Sequence, residues 1–235
     1  MKQTLRMMAL CALSAVSLLA QAEHTAPVAP VWTLSNLKTT LADMPAGNIE
    51  QGANLHRNAA CMSCHGESGI AATRNAPTLA GNNANYLYKT LLDYQSGLRN
   101  EGNGKADVMR AVTQPMSKQD MADLAAYYAA QLAPVVRLKS ADAATMKLIK
   151  HGDPTRLLTS CAACHGLHGQ GGQKDKSTPV LVGIEPSYFI RTMYAYRDGS
   201  RGNDVNKGMS QFAKQLTDAE INALAAYYAG DMLVK

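Results

Sequence analysis

Two pentapeptides carry residue types at a spacing that can do chemistry: Cys61-Met62-Ser63-Cys64-His65 and Cys161-Ala162-Ala163-Cys164-His165. Each reads C-x-x-C-H. At that spacing two thiols can bond to the vinyl groups of a haem while the adjoining imidazole reaches the iron. The copies start 100 residues apart, and each is followed by glycine, Gly66 or Gly166. Other chemistries of a C-x-x-C pair fit less well. A redox dithiol wants a βαβ setting, whereas the flanks here are Ala-rich, helical in pattern and without β-branched runs. Paired zinc motifs usually sit about 15–20 residues apart, so this separation is too wide for one compact finger. The spacing predicts two covalently bound haem c groups, attached through Cys61, Cys64, Cys161 and Cys164, with His65 and His165 as proximal iron ligands.

The segments that must position these motifs also come twice. Residues 48–60 read as a helix running into Cys61, with Ile49, Ala53 and Ala60 on one face. A Gly- and Pro-containing loop leads to Gly81. A second helix spans about 83–96, with Tyr86, Leu87, Thr90, Leu91 and Tyr94 on one face and Gly97 as its C-cap. Residues 98–115 read as a loop with Met109 in its middle. Ser117 with Asp120, a near relative of the capping box, opens a third helix that ends before Pro134. Residues 134–141 read as a linker, a short helix occupies about 142–151, and a Gly-rich loop follows from Gly166 to Gly172. Beyond it, Pro77, Leu79, Gly81, Tyr86, Thr90, Tyr94, Gly97 and Arg99 match Pro179, Leu181, Gly183, Tyr188, Thr192, Tyr196, Gly199 and Arg201. Thr217 with Glu220 then forms a full capping box, and Leu224 to Ala229 repeats Leu124 to Ala129. This is an internal duplication. It predicts an all-α chain of two tandem haem domains, residues 47–133 and 142–235, behind an N-terminal extension, residues 23–46, that holds Trp32.

What lies opposite each imidazole separates an electron carrier from a gas-binding or peroxide-reducing site. Aligned on the shared Leu-Ala-Ala-Tyr-Tyr-Ala run, Met109 and Met209 are equivalent, each in a loop ahead of the capped last helix. A thioether there would saturate the iron and raise its reduction potential. Of the twelve methionines, Met121, Met146 and Met193 read as core hydrophobes, and Met62 is a spacer of its own motif. Met116 is the rival in the first repeat, but its counterpart is Leu216, which cannot ligate. His56, His151 and His168 have no partner in the other repeat and read as surface or supporting groups. His24 lies at the mature N-terminus. The Pro77 and Pro179 carbonyls can accept the other imidazole N–H, or the prolines merely shape their loops. Arg99 and Arg201 can neutralise haem propionates, or stand as solvated loop charges.

The chain has 235 residues. Lys2 and Arg6, the apolar run from Met7 to Ala20 and the Ala20-Gln21-Ala22 cleavage site read as a secretory signal peptide over residues 1–22. A transmembrane anchor is the weaker alternative, because the run is short. Cys11 lies inside this leader, and the four remaining cysteines all belong to the two motifs, leaving none for a structural disulfide. The leader takes two basic residues and no acid, so 23 Lys+Arg against 18 Asp+Glu becomes 21 against 18. Such a mild excess predicts no nucleic-acid partner and at most a peripheral membrane association. Each domain is short for independent stability, and a covalent haem would complete its core.

Taken together, C-x-x-C-H-G, P-x-L-x-G, an aromatic helix ending Gly-x-Arg, a downstream Met and a capped helix ending Tyr-Tyr-Ala resemble a class I cytochrome c domain. Two in tandem, with Gly152-Asp153 ahead of the second motif, resemble the dihaem cytochrome c4 family from about Gly47 to Lys235. The resemblance implies two haem domains packed about a pseudo-twofold axis, with His65 and Met109, then His165 and Met209, as iron ligands. It also implies a periplasmic electron carrier, not an enzyme, working between respiratory-chain donors and an acceptor such as a terminal oxidase. The chain departs from the family pattern in its longer extension, and in Asn82 and Ile184 where Gln is expected. Two further functions stay open on the residues alone. One is a cytochrome subunit of a periplasmic oxidoreductase complex, docked through the Trp32 segment. The other is a dihaem peroxidase or gas-binding protein, which needs an open axial site.

Overall fold

The computed structural model describes residues 31–71, 73–74, 76–101, 104–172 and 177–234. The leader, His24 and the first part of the extension lie outside the described residues. The extension contributes α1 (Leu34–Ala42), which Thr33 and Asn36 open with a reciprocal capping box. The first repeat then runs α2 (Ile49–Asn58), α3 (Met62–His65), α4 (Ala84–Gln95), α5 (Lys105–Thr113) and α6 (Lys118–Ala130). The second repeats that order as α7 (Ala143–His151), α8 (Cys161–His165), α9 (Pro186–Asp198), α10 (Gly208–Gln215) and α11 (Asp218–Ala229).

Each repeat has its own core. In the first, Leu87, Tyr88, Met121, Leu124 and Tyr128 cluster; in the second, Ile149, Phe189, Met193, Ile221, Leu224 and Tyr228 do so. The capped last helix is central to both. Ser117 accepts from the Asp120 amide while the Asp120 carboxylate accepts from the Ser117 amide, so the near relative of a capping box is a complete one. Thr217 and Glu220 do the same for α11.

Two expectations are corrected. Met109 and Met209 sit on helices, α5 and α10, not in loops. Gly104 and Lys207, both left-handed, stand at their starts and supply no capping side chain, so the usual start signal is missing; in α10 the Ser210 amide is met instead by the carboxylate of Asp204, three residues before Lys207. The segment read as a linker also holds strand β1 (Val135–Arg137), antiparallel to β2 (Asp231–Val234) at the end of the chain. A three-residue strand whose partner lies nearly a hundred residues away leaves no hairpin signal.

The first repeat depends on a close crossing of α2 over α6. The buried face of α2 is Gly52 and His56, while Ile49, expected to be inward, is half exposed. A Cβ at Gly52 would stand 2.1 Å from the Asp123 carbonyl oxygen and 2.6 Å from Tyr127 Cβ. Backbone cannot yield as a flexible side chain can, so glycine is required there. Gly52→Ala is expected to destabilise the first domain by about 3 kcal/mol, the upper end of overpacking costs. Urea unfolding of the haem-loaded protein checks this; an unchanged midpoint would show that the crossing is not tight.

Candidate functional site

Each C-x-x-C-H motif forms a single helical turn, and the following glycine turns the chain sharply at φ 77° (Gly66) or 78° (Gly166). Side chains with a Cβ seldom adopt this conformation. The turn leaves His65 and His165 buried, each 7% exposed. Their Nδ1 atoms lie 2.9 Å from the Pro77 carbonyl oxygen and 3.0 Å from that of Pro179. A carbonyl only accepts, so Nδ1 carries the proton and Nε2 is the nitrogen with a lone pair for a metal. Burial pushes the His65 imidazole below its usual value, against the raising effect of the Pro77 bond. The neutral, ligating form is favoured.

The thiols behave differently from those of a redox dithiol. Burial raises Cys61 and Cys161 above the ordinary thiol value, whereas dithiol catalysis needs a lowered one. Cys64 and Cys164 are exposed. Among the described residues, no three His, Cys, Asp or Glu side chains converge on a metal cage.

One cavity of about 450 Å³ joins the two repeats. His65 and Met109 line it from one side and His165 and Met209 from the other, with Pro77 and Pro179 also in its wall. Among the described residues, three buried side-chain polar atoms have no hydrogen-bond partner: Thr90 Oγ1, Arg201 Nη1 and the Tyr228 hydroxyl. All three residues line this cavity. Orphaned polar atoms against an otherwise apolar space fit a large apolar group that carries acceptors of its own.

Arg99 and Arg201 are not solvated loop charges; they are 3% and 2% exposed. Their backbones pair in an antiparallel bridge between the repeats. Each guanidinium stacks on a tyrosine of its own repeat, Tyr94 or Tyr196, at 4.5 Å. Arg99 Nη2 donates to the Tyr188 hydroxyl across the interface at 2.9 Å, and the Arg201 guanidinium acts electrostatically on Tyr86, the equivalent tyrosine of the first repeat. Such reciprocity is what a pseudo-twofold axis produces. Burial pushes the Tyr188 phenol up, but the two guanidinium groups outweigh it and pull the phenol down to about 7. Asn82, at a position where the family pattern has Gln, accepts the Val180 amide of the other repeat at 3.1 Å. Ile184 packs on the second core.

The family model for cytochrome c matches residues 49–130 and 155–229. Cytochrome c4 of Thiocapsa roseopersicina is 32% identical over 80% of this chain and 96% of its own length. The crystal structure of reduced recombinant cytochrome c4 from Pseudomonas stutzeri superposes with a TM-score of 0.68 at 32% identity, covering 79% of this chain and 99% of that one. This chain belongs to the cytochrome c4 family. Its two cytochrome c domains each bind a covalent haem c, and the protein is an electron carrier rather than an enzyme. A thiosulfate dehydrogenase electron acceptor of Stutzerimonas stutzeri is also similar, 31% identical over 84% of this chain and 94% of its own.

One supporting residue escaped a definite role in the sequence because the other repeat lacks it. In this cytochrome, His56 is 1% exposed; it accepts from the Tyr128 hydroxyl at Nδ1 and donates from Nε2 to the Glu67 carbonyl, both at 2.9 Å. At the equivalent place, Arg156 instead binds Asp153 and makes a two-pronged pair with Glu220. His151 and His168 are exposed, as expected. Burial lowers the His56 pKa from 6.5. The folded state therefore prefers the neutral ring; this contribution is complete above pH 6.5 and is lost as the pH falls below it through the lowered value of the folded ring. The thermal midpoint should drop on acidification below pH 6.5, and His56→Gln should flatten that dependence. An identical pH profile in the variant would remove His56 as the cause.

Proposed function

We propose that this protein is a periplasmic dihaem shuttle whose irons are held by His65 with Met109 and by His165 with Met209. The observation that carries the proposal is the common cavity: all four side chains line it, and each imidazole is fixed by a proline carbonyl so that Nε2 is its ligating atom. When bound, each haem supplies a one-electron iron couple, and a methionine ligand raises its potential.

The chain's residues do the rest. Cys61, Cys64, Cys161 and Cys164 fix the macrocycles in place, and the Pro77 and Pro179 carbonyls orient the imidazoles. Arg99 and Arg201 would hold the propionates; among the described residues Glu101 is the one carboxylate that pairs with the two guanidinium groups, at 2.8 Å and 3.8 Å. The apolar walls keep water from the iron. Because both sites open on one cavity, haems held there would allow an electron taken up at one to pass to the other inside the protein. The basic, apolar leader and its A-x-A site support export to the periplasm with cleavage after Ala22. There the protein accepts electrons from a periplasmic or membrane-bound donor and passes them to an acceptor such as a terminal oxidase. Among the described residues no helix is long and apolar enough to cross a membrane.

A second reading has its own support: delivery from a thiosulfate-oxidising enzyme. Besides the electron acceptor already named, a structure of thiosulfate dehydrogenase from Marichromatium purpuratum is similar, with a TM-score of 0.66 over 77% of this chain and 40% of that one.

Absorption spectra and redox titration test the ligand sets. Sulfur-ligated ferric haem has a weak charge-transfer band at the red edge, which Met109→Ala and Met209→Ala should each weaken and the double variant should abolish. Each single variant should also lower the midpoint potential of one haem only. A band indifferent to both substitutions would sink the assignment.

A further inference from the structure

The N-terminal extension precedes the segment matched to cytochrome c, yet it reaches both repeats. Leu37 is buried, and Leu41 and Met44 pack on the first core, while α1 also touches the Val205–Lys207 turn of the second domain. Just before α1, the Trp32 indole N–H donates to Asp93, a fully buried carboxylate of α4. The Lys89 ammonium lies 5.0 Å from the centre of the indole ring. The same carboxylate accepts from Lys89 Nζ and, across the interface, from Asn203 Nδ2, both at 2.6 Å. Lys89 donates again to the Asn203 carbonyl at 2.6 Å.

The backbone of Trp32 makes a further contact. Its carbonyl accepts the Asn206 amide of the second domain at 2.8 Å. Asn206 and Lys207 are successive non-glycine residues in the left-handed region, with φ of 51° and 55°. Their turn leads directly into α10 and Met209. The equivalent helix of the first domain, α5, starts instead from Gly104 at φ 74°, where the conformation is unstrained. A strained turn persists only where its surroundings over-determine it, and here the Trp32 carbonyl supplies one of the determining bonds.

We propose that Trp32 is a positioning residue for the second haem site: anchored on Asp93 of the first domain, it holds the strained turn that presents Met209. The extension is thus a brace across the domain interface. It lets a residue packed on one domain set the stiffness of the iron ligand in the other. The proposal rests on the dihaem carrier reading, and on Met209 as a ligand for one of its two readouts.

The test uses full-length, haem-loaded protein with Trp32→Ala and with Trp32→Phe, which keeps a ring over Lys89 but loses the N–H to Asp93. Hydrogen exchange at residues 204–208 should accelerate about tenfold in Trp32→Ala, within the range that mutations in a coupling network reach, and less in Trp32→Phe. Exchange over α5 should not change. Imidazole, added as a competing ligand to the ferric protein, should bind about tenfold more tightly at one haem only, and this gain should vanish in a Met209→Ala background. Unchanged exchange at 204–208, equal acceleration over α5, or a gain that survives Met209→Ala would overturn the proposal. If Met209→Ala leaves the spectrum unaltered, the ligand assignment fails separately, and the exchange experiment still decides whether Trp32 holds the turn.

Discussion

Two buried guanidinium groups with one carboxylate for company are the constraint on which the interface depends. Arg99 and Arg201 sit on adjacent, hydrogen-bonded backbones, almost without solvent, and among the described residues Glu101 is the one carboxylate that pairs with them. Leaving a buried charge uncompensated costs several kcal/mol. The Tyr188 phenol, drawn down to about 7 despite its burial, registers the unbalanced positive field. Carboxylates on the bound cofactors, as proposed, would restore the balance at the seam between the domains. If Arg99 and Arg201 hold the haem propionates as proposed, docking of the domains and loading of the haems would support each other.

Within each domain, by contrast, the site is built by short-range geometry. A one-turn helix delivers two cysteines and a histidine, a left-handed glycine ends it, and a proline carbonyl twelve or fourteen residues on fixes the ring. None of these devices needs the other domain, and all occur twice. The layer outside them is less constrained. The first domain stabilises the approach to its motif with a buried neutral His56, the second with a partly exposed Arg156–Glu220 pair. Both solutions tie the segment before the first cysteine to the last helix or the loop beside it. They respond to pH through different groups.

This division explains what could be read from the sequence. Motifs whose chemistry is local, including the two C-x-x-C-H turns, the Ser117 and Thr217 caps and the aromatic faces of α4 and α9, were legible because spacing alone encodes them. Comparison of the repeats selected Met109 and Met209 even though the segments carrying them looked like loops. Their helices begin at left-handed residues that supply no capping side chain, and the Asp204 carboxylate that bonds the Ser210 amide of α10 stands too far back in the chain to read as an N-cap. Lys89 and Asp93 were illegible for a different reason. An i,i+4 Lys–Asp pair on a helix ordinarily marks a solvated face, and here it is buried only because Trp32 and Asn203 arrive from far along the chain. The β1–β2 pairing, set by contact between the linker and the chain's end, was hidden in the same way.

The places where the repeats differ follow from those long-range contacts. In a symmetric pair every interface contact would occur twice; in a fused duplicate each half can carry a different partner. Glu101 and Asn203 occupy equivalent positions, each holding the Nε of its own arginine. Asn203 also donates to the Asp93 carboxylate at 2.6 Å. A glutamate at 203, copying the first repeat, would set a second carboxylate against Asp93 inside the protein, where like charges repel strongly. The residue equivalent to Asp93 is Ala195, so Glu101 faces no such conflict. The buried acid that anchors Trp32 therefore dictates an amide at 203. The loss of symmetry at that one position follows from the brace that the extension builds.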